Sequence, residues 1–148
     1  MSKNKTKYFQ AFLGLLLSIN LILPFSNCKT ESEKAMEYKK RVVGTIKTIT
    51  EIAKQIDEKD GPELEKLILK LKKEIKASKT QLEESDSFKD DNSLKEACME
   101  ICDFYQEIVD GKWGLRGQPA IEKKKEDLYK NLNQKEIDFA KKFNFNLD

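Results

Sequence analysis

Apolar residues recur every three or four positions along most of the chain, which is the spacing of amphipathic helices. Four stretches follow this pattern. Their apolar stripes are Val42, Ile46, Ile49, Ala53 and Ile56; Leu64, Ile68, Leu71, Ile75, Ser78 and Leu82; Leu94, Cys98, Ile101, Tyr105 and Ile108; and Ile121, Leu128, Leu132, Phe139 and Phe143. Each stripe must be buried against a neighbour, and the intervening turns are short. We therefore predict an all-α four-helix bundle with an up-down antiparallel arrangement.

Helix start and stop signals divide the first half of this pattern. Thr30 and Glu33 have the spacing of a capping box, so a helix is expected to begin there and to run to about Lys59. The turn at residues 60–62 combines Gly61, which suits a left-handed residue after a helix, with Pro62, which suits the first helical position. We expect the second helix over Pro62 to Glu84.

The second half carries similar signals. Ser93 with Glu96 forms another candidate capping box, and Gly111 is a candidate C-terminal cap, so the third helix is expected over Leu94 to Asp110. Pro119 opens the fourth, which is expected to end near Phe143. Residues 143–147 alternate between apolar and polar, which indicates a short extended tail laid on an apolar surface.

The first 27 residues differ from the rest. Three lysines among residues 1–7 precede an apolar run over residues 8–23, and Pro24 then ends any helix. This order of charge, apolar run and break is typical of a cleaved signal peptide. A retained transmembrane helix is the alternative, but the run is shorter than the roughly 20 residues that span a bilayer.

The end of the leader predicts its type. The sequence Phe25-Ser26-Asn27-Cys28 resembles a lipoprotein signal, in the relaxed form found in spirochaetes. The resemblance implies that Cys28 becomes the N-terminus and carries a diacylglyceryl thioether and an acylated amine, so that several chains hold the protein on a membrane. We therefore divide the chain into a signal peptide at 1–27, a lipidated tether at 28–33 and one helical domain at 34–148. The alternative is an ordinary secreted protein with a free thiol at Cys28.

Composition excludes several classes of function. Removing the leader takes 27 of the 148 residues and three of the 28 basic residues, which leaves 25 basic and 26 acidic residues on a chain of 121. The run Lys123 to Lys125 is flanked by acids, so no basic block predicts nucleic-acid binding. The chain has no histidine, which removes the commonest acid–base and metal-binding side chain. We expect no enzymatic activity, no metal and no cofactor; a carboxylate-based hydrolase is the alternative.

Two cysteines lie four residues apart on the third predicted helix. Cys98 and Cys102 share a face, but side chains at this spacing start about 6 Å apart, too far for a disulfide without distortion. We interpret both as small buried residues. A soft-metal site built on two thiolates is the alternative, and no histidine is available to complete it.

The loop over residues 111–118 is rich in glycine and contains the only tryptophan of the chain. Trp113 and Leu115 are large apolar side chains, so the loop is either a lid on the end of the bundle or a tip that contacts a partner. Arg116 next to them could orient a carboxylate or a phosphate. We take these three residues as a possible partner-contact loop.

The whole arrangement resembles the small helical surface lipoproteins of spirochaetes (Leptospira-like) and some Bacteroidetes. The resemblance is carried by four stretches: Asn27-Cys28, the helix from Tyr38 to Ile56, Phe104-Tyr105 with Ile108, and the ending at residues 139–145. It implies a lipid-anchored protein of the cell envelope, and the expected location is the outer membrane or cell surface. The expected function is a non-enzymatic binding module whose partner is a protein or a host component. A structural or envelope-stress lipoprotein without a specific soluble ligand is the alternative.

Overall fold

A computed structural model describes residues 29–112 and 119–147 of the chain. Most of this part is helical, and no strand occurs among the described residues apart from a single bridge between Phe88 and Asp91. The helices are α1 (Glu31–Gly44), α2 (Lys47–Ile56), α3 (Gly61–Glu83), α4 (Ser93–Val109) and α5 (Pro119–Phe143). Since α1 and α2 are two segments of one broken helix, the fold is the predicted four-helix bundle.

The central helix of the bundle is α4, which packs against α1, α3 and α5. More than half of its residues are buried, including Leu94, Cys98, Ile101 and Cys102, which are fully enclosed. The contacts between α4 and α5 run in opposite directions along the two helices. Glu100 pairs with Asn131, and Tyr105, further along α4, pairs with the earlier residue Tyr129. These two helices are therefore antiparallel, while the up-down order of the whole bundle stays a prediction.

Most helix ends carry the expected signals. The Thr30 side chain accepts from the Glu33 backbone N–H while Glu33 accepts from the Thr30 N–H, so the first capping box is confirmed. Gly61 and Gly111 both have positive φ, at 57° and 81°, as glycines at these junctions should. The backbone N–H of Lys112 donates to Glu107 O, which closes the end of α4 as in a Schellman motif.

The prediction of a second capping box, at Ser93 and Glu96, was wrong. Asn92, not Ser93, is the residue before α4, and it makes no side-chain capping bond. The Ser93 hydroxyl instead donates to Asp91 Oδ1 at 2.6 Å. Asp91 also accepts from Lys142 Nζ at 2.6 Å, so this carboxylate links the loop before α4 to the end of α5.

The prediction of one continuous helix to Lys59 was also wrong. At residues 45 and 46 the backbone N–H groups donate to carbonyls three residues back, Thr45 to Val42 at 3.2 Å and Ile46 to Val43 at 3.4 Å. This tighter turn interrupts the ladder of bonds between residues four apart. The buried Ser78 of α3 donates its hydroxyl to the Thr45 carbonyl at 2.8 Å and so replaces a bond that the helix has lost.

An aromatic cluster closes the end of the bundle where α1 begins. Its members are Tyr38, Phe88, Phe139, Phe143 and Phe145, with ring centroids between 4.7 and 6.1 Å apart. Phe88 reaches the cluster from a tight turn in which Lys89 and Asp90 both have positive φ. Phe145 belongs to the tail, and its backbone N–H donates to Ala140 O, so the tail starts by folding back on α5. Leu147 beyond it is 39% exposed.

Candidate functional site

The residues singled out from sequence lie outside the described part of the structure. They are the lipidation site Cys28 and the loop residues Trp113, Leu115 and Arg116. The structure does show where the neighbouring chain goes. Because α1 begins at Glu31, only Lys29 and Thr30 separate Cys28 from a helix, and the helix starts inside the range assigned to the tether. None of the helices in the described ranges is long and apolar enough to cross a membrane.

The described residues contain a groove that the sequence did not predict. We call it the helix-break groove, because it lies along the interruption between α1 and α2 and is closed on its other side by α5. It encloses about 540 Å³, a volume within the range of small-molecule sites. The lining residues are Lys39, Lys40, Val43, Gly44, Ile46, Lys47, Thr50, Glu51, Lys54, Tyr129, Leu132 and Glu136.

Two features of the sequence produce the groove. The first is the break itself, after which α2 packs chiefly against α3 rather than α5. The second is Gly44, which lines the groove without a side chain. A Cβ placed on Gly44 would meet no atom within 4 Å, so the space beside this backbone is open. A methyl group at this position would meet no clash.

The floor of the groove combines apolar surface with a chain of hydroxyl groups. The Thr50 hydroxyl donates to Ile46 O at 3.0 Å and lies 2.6 Å from the Tyr129 hydroxyl, which therefore donates to Thr50. The Tyr105 hydroxyl lies 3.4 Å from Tyr129 and completes the series as a donor. Burial, together with the nearby Tyr129 hydroxyl, raises the pKa of Tyr105. The three protons are thus all engaged within the protein.

The rim of the groove is positively charged. It carries Lys39, Lys40, Lys47 and Lys54 against two carboxylates, Glu51 and Glu136. Lys39 is paired with Glu136 at 3.0 Å and both side chains are largely covered, while Lys47 is 4.0 Å from Glu51 in an exposed pair. Among the described residues no carboxylate lies within 4 Å of the ammonium of Lys40 or of Lys54. These two cations are the charges that the groove offers to a ligand.

A second, smaller cavity lies beside the aromatic cluster. It encloses about 360 Å³, and Lys34, Tyr38, Arg41 and Phe88 are among its lining residues. Tyr38 is 5% exposed, and its buried hydroxyl has no hydrogen-bond partner among the described residues. Burial, and then the Asp91 carboxylate, raise the pKa of Tyr38. This hydroxyl is enclosed rather than presented to a ligand, so we take the groove as the better candidate site.

The cysteines show no sign of chemical reactivity. Cys98 and Cys102 are free and fully buried, so the interpretation of both as small buried residues is confirmed. Burial is the main cause that raises the pKa of Cys98 to about 12 and that of Cys102 to about 11. Thiols with such pKa values are protonated at neutral pH and are poor nucleophiles and metal ligands. Across residues 29–112 and 119–147, no group of three candidate metal ligands comes together.

Comparison with known proteins adds no identification. No protein-family model, no curated protein and no solved structure matches this chain. The resemblance to helical surface lipoproteins therefore stays a prediction.

Proposed function

We propose that the protein is a lipid-anchored binding module of the cell envelope, held by acylated Cys28 and without enzymatic activity of its own. The observation that carries the proposal is the leader: a basic segment, an apolar run and a break end directly at Cys28. A helix begins within three residues of that cysteine. The lipid would hold the bundle close to the membrane by the end at which α1 starts.

The helix-break groove is the binding site that we propose for this module. A helix rises 1.5 Å per residue, so Lys39 lies about 13 Å from Thr30 along α1. Lys54 lies at most about 36 Å away along the two helical segments. The groove thus opens on the side of the bundle, away from the anchored end. A ligand could reach it from the aqueous side of the membrane, which on this proposal is the outer membrane or cell surface.

Metabolic labelling tests the anchor. Cells that express the full chain and are fed labelled palmitate should incorporate the label, and the protein should fractionate with membranes. Cys28→Ala should lose the label and the membrane association. Cys102→Ala makes the same chemical change at a buried thiol and should keep both. If Cys28→Ala is still labelled, acylation does not occur at this residue.

Native mass spectrometry tests the groove. The protein extracted from its own membranes in lipid nanodiscs should carry a non-covalent adduct, and Gly44→Leu, which fills the groove, should not carry it. Gly44→Ala is the matched control, because one methyl group leaves most of the space open. An adduct that persists in Gly44→Leu places binding elsewhere. If neither protein carries an adduct, a purely structural role for the lipoprotein is favoured.

A further inference from the structure

We propose that the helix-break groove binds a single-chain amphiphile with an anionic head group, of the fatty-acid type. This inference rests on the proposed function only in taking the groove as a binding site. It adds the chemical class of the ligand, which neither the leader nor the bundle indicates. Three properties of the groove support it: its size, its floor and the charges of its rim.

The size of the groove is compatible with a small ligand. The groove has a volume of about 540 Å³. Ligands of small-molecule size bind in clefts of about 300–1,000 Å³. A flexible alkyl chain is a ligand of this size.

The floor of the groove suits an apolar tail. Ile46 and Leu132 are buried core residues whose edges line the groove, and Val43 is half-buried beside them. The hydroxyls of Thr50 and Tyr129 also line it, but their protons are already donated within the protein. A ligand group lying over them needs no hydrogen bond to satisfy them. Methylene groups meet this condition, and burying them in an apolar groove is favourable.

The rim of the groove selects the sign of the head group. Its four lysines exceed its two carboxylates. Lys40 and Lys54 have no carboxylate of the described residues within 4 Å, so an incoming anion does not have to displace an existing ion pair. A carboxylate head can pair with either ammonium while the tail lies in the groove between them. A cationic amphiphile of the same length would face net repulsion.

Photo-crosslinking can locate and characterise the ligand on the full chain. The protein is placed in phosphatidylcholine nanodiscs and treated with palmitate that carries a diazirine and an alkyne tag. After illumination, the labelled peptides are identified by mass spectrometry. The labelled residues should fall within 43–54 and 129–136. Unlabelled palmitate should compete at least tenfold better than hexadecyltrimethylammonium, which has the same chain and the opposite charge.

Variants of the groove separate specific binding from contact with the surrounding lipid. Gly44→Leu should lower labelling of these segments more than tenfold, while Gly44→Ala should keep most of it. Lys40→Glu combined with Lys54→Glu should lower it about tenfold, because each partly exposed ion pair contributes up to about 1 kcal/mol, or about fivefold. Lys72→Glu reverses an exposed charge of α3 outside the groove and should have no effect. Both rim lysines are exposed, so the double variant serves as the test if Gly44→Leu does not fold.

Three results would overturn the inference. They are labelling spread evenly over the exposed surface, labelling unchanged by the groove variants, and equal competition by the cationic chain. Failure of this inference can also be distinguished from failure of the proposed function. If a groove-dependent adduct is found by native mass spectrometry and it is not an anionic amphiphile, the binding module stands and the ligand class is wrong.

Discussion

The hydrogen bond between Ser78 and Thr45 should stabilise the break that creates the helix-break groove. Ser78 is 6% exposed and donates to the Thr45 carbonyl at 2.8 Å, and no backbone N–H of the described residues takes the place of that donor. In Ser78→Ala the carbonyl would stay buried without a partner. Leaving such a group unsatisfied costs about 1–3 kcal/mol, so the free energy of unfolding should fall by that amount.

Urea titration followed by circular dichroism measures this loss. For a domain of this size, each kcal/mol also corresponds to a fall of about 4 °C in Tm. The matched control is Ser85→Ala, which removes a hydroxyl that donates to Gln81 O at 2.7 Å near the exposed end of α3. Water can replace that bond, so the control should change stability by less than about 0.5 kcal/mol. Equal stabilities for the two variants would show that Ser78 does not hold the break.

Three further predictions concern buried polar groups. Tyr38→Phe should raise the free energy of unfolding by about 1 kcal/mol, because it removes an enclosed hydroxyl that has no partner among the described residues; a loss of stability in urea titration would show that this hydroxyl has a partner. Although burial alone would raise the pKa of Asp91, the hydrogen bonds from Lys142 and Ser93 outweigh it and lower that pKa. Asp91→Asn should therefore lower the free energy of unfolding at pH 7, and the difference from the parent protein should shrink as the pH falls below about 4. Urea midpoints of both proteins, measured as a function of pH, would contradict this if their difference stayed constant. Iodoacetamide should not modify Cys98 or Cys102 at pH 8 until the protein is unfolded, and rapid modification of the native protein would show that the thiols are accessible.

The sequence predicts the number and kind of the helices well, because their boundaries carry strong local signals. Gly61 and Pro119 mark helix ends through backbone geometry that depends on the residue itself. The break at Thr45 and Ile46 cannot be predicted from such local signals, for a physical reason. Ile46 has φ −90° and ψ −5°, close to helical values, so the apolar stripe keeps its phase through the interruption. Periodicity cannot detect a break that does not shift the stripe.

The helix-break groove is harder to predict than the helices, because it depends on the distance between α2 and α5. No local pattern encodes that distance. Two residues do give a signal in retrospect. Gly44 leaves open space inside a helix, and Ser78 is a hydroxyl in an otherwise apolar stripe, where its partner is a carbonyl released by the break. Phe88 was missed as well, since its loop is polar and acidic on either side.

Mass spectrometry of the native protein tests the lipid anchor most directly. The proposal predicts a mature chain that begins at Cys28, with its mass increased by a diacylglyceryl group on sulfur and an acyl chain on the amine. The aqueous-facing bundle and its groove would then be held at a membrane by lipid alone. A leader still attached to the chain, or an unmodified sulfur at Cys28, would contradict the account.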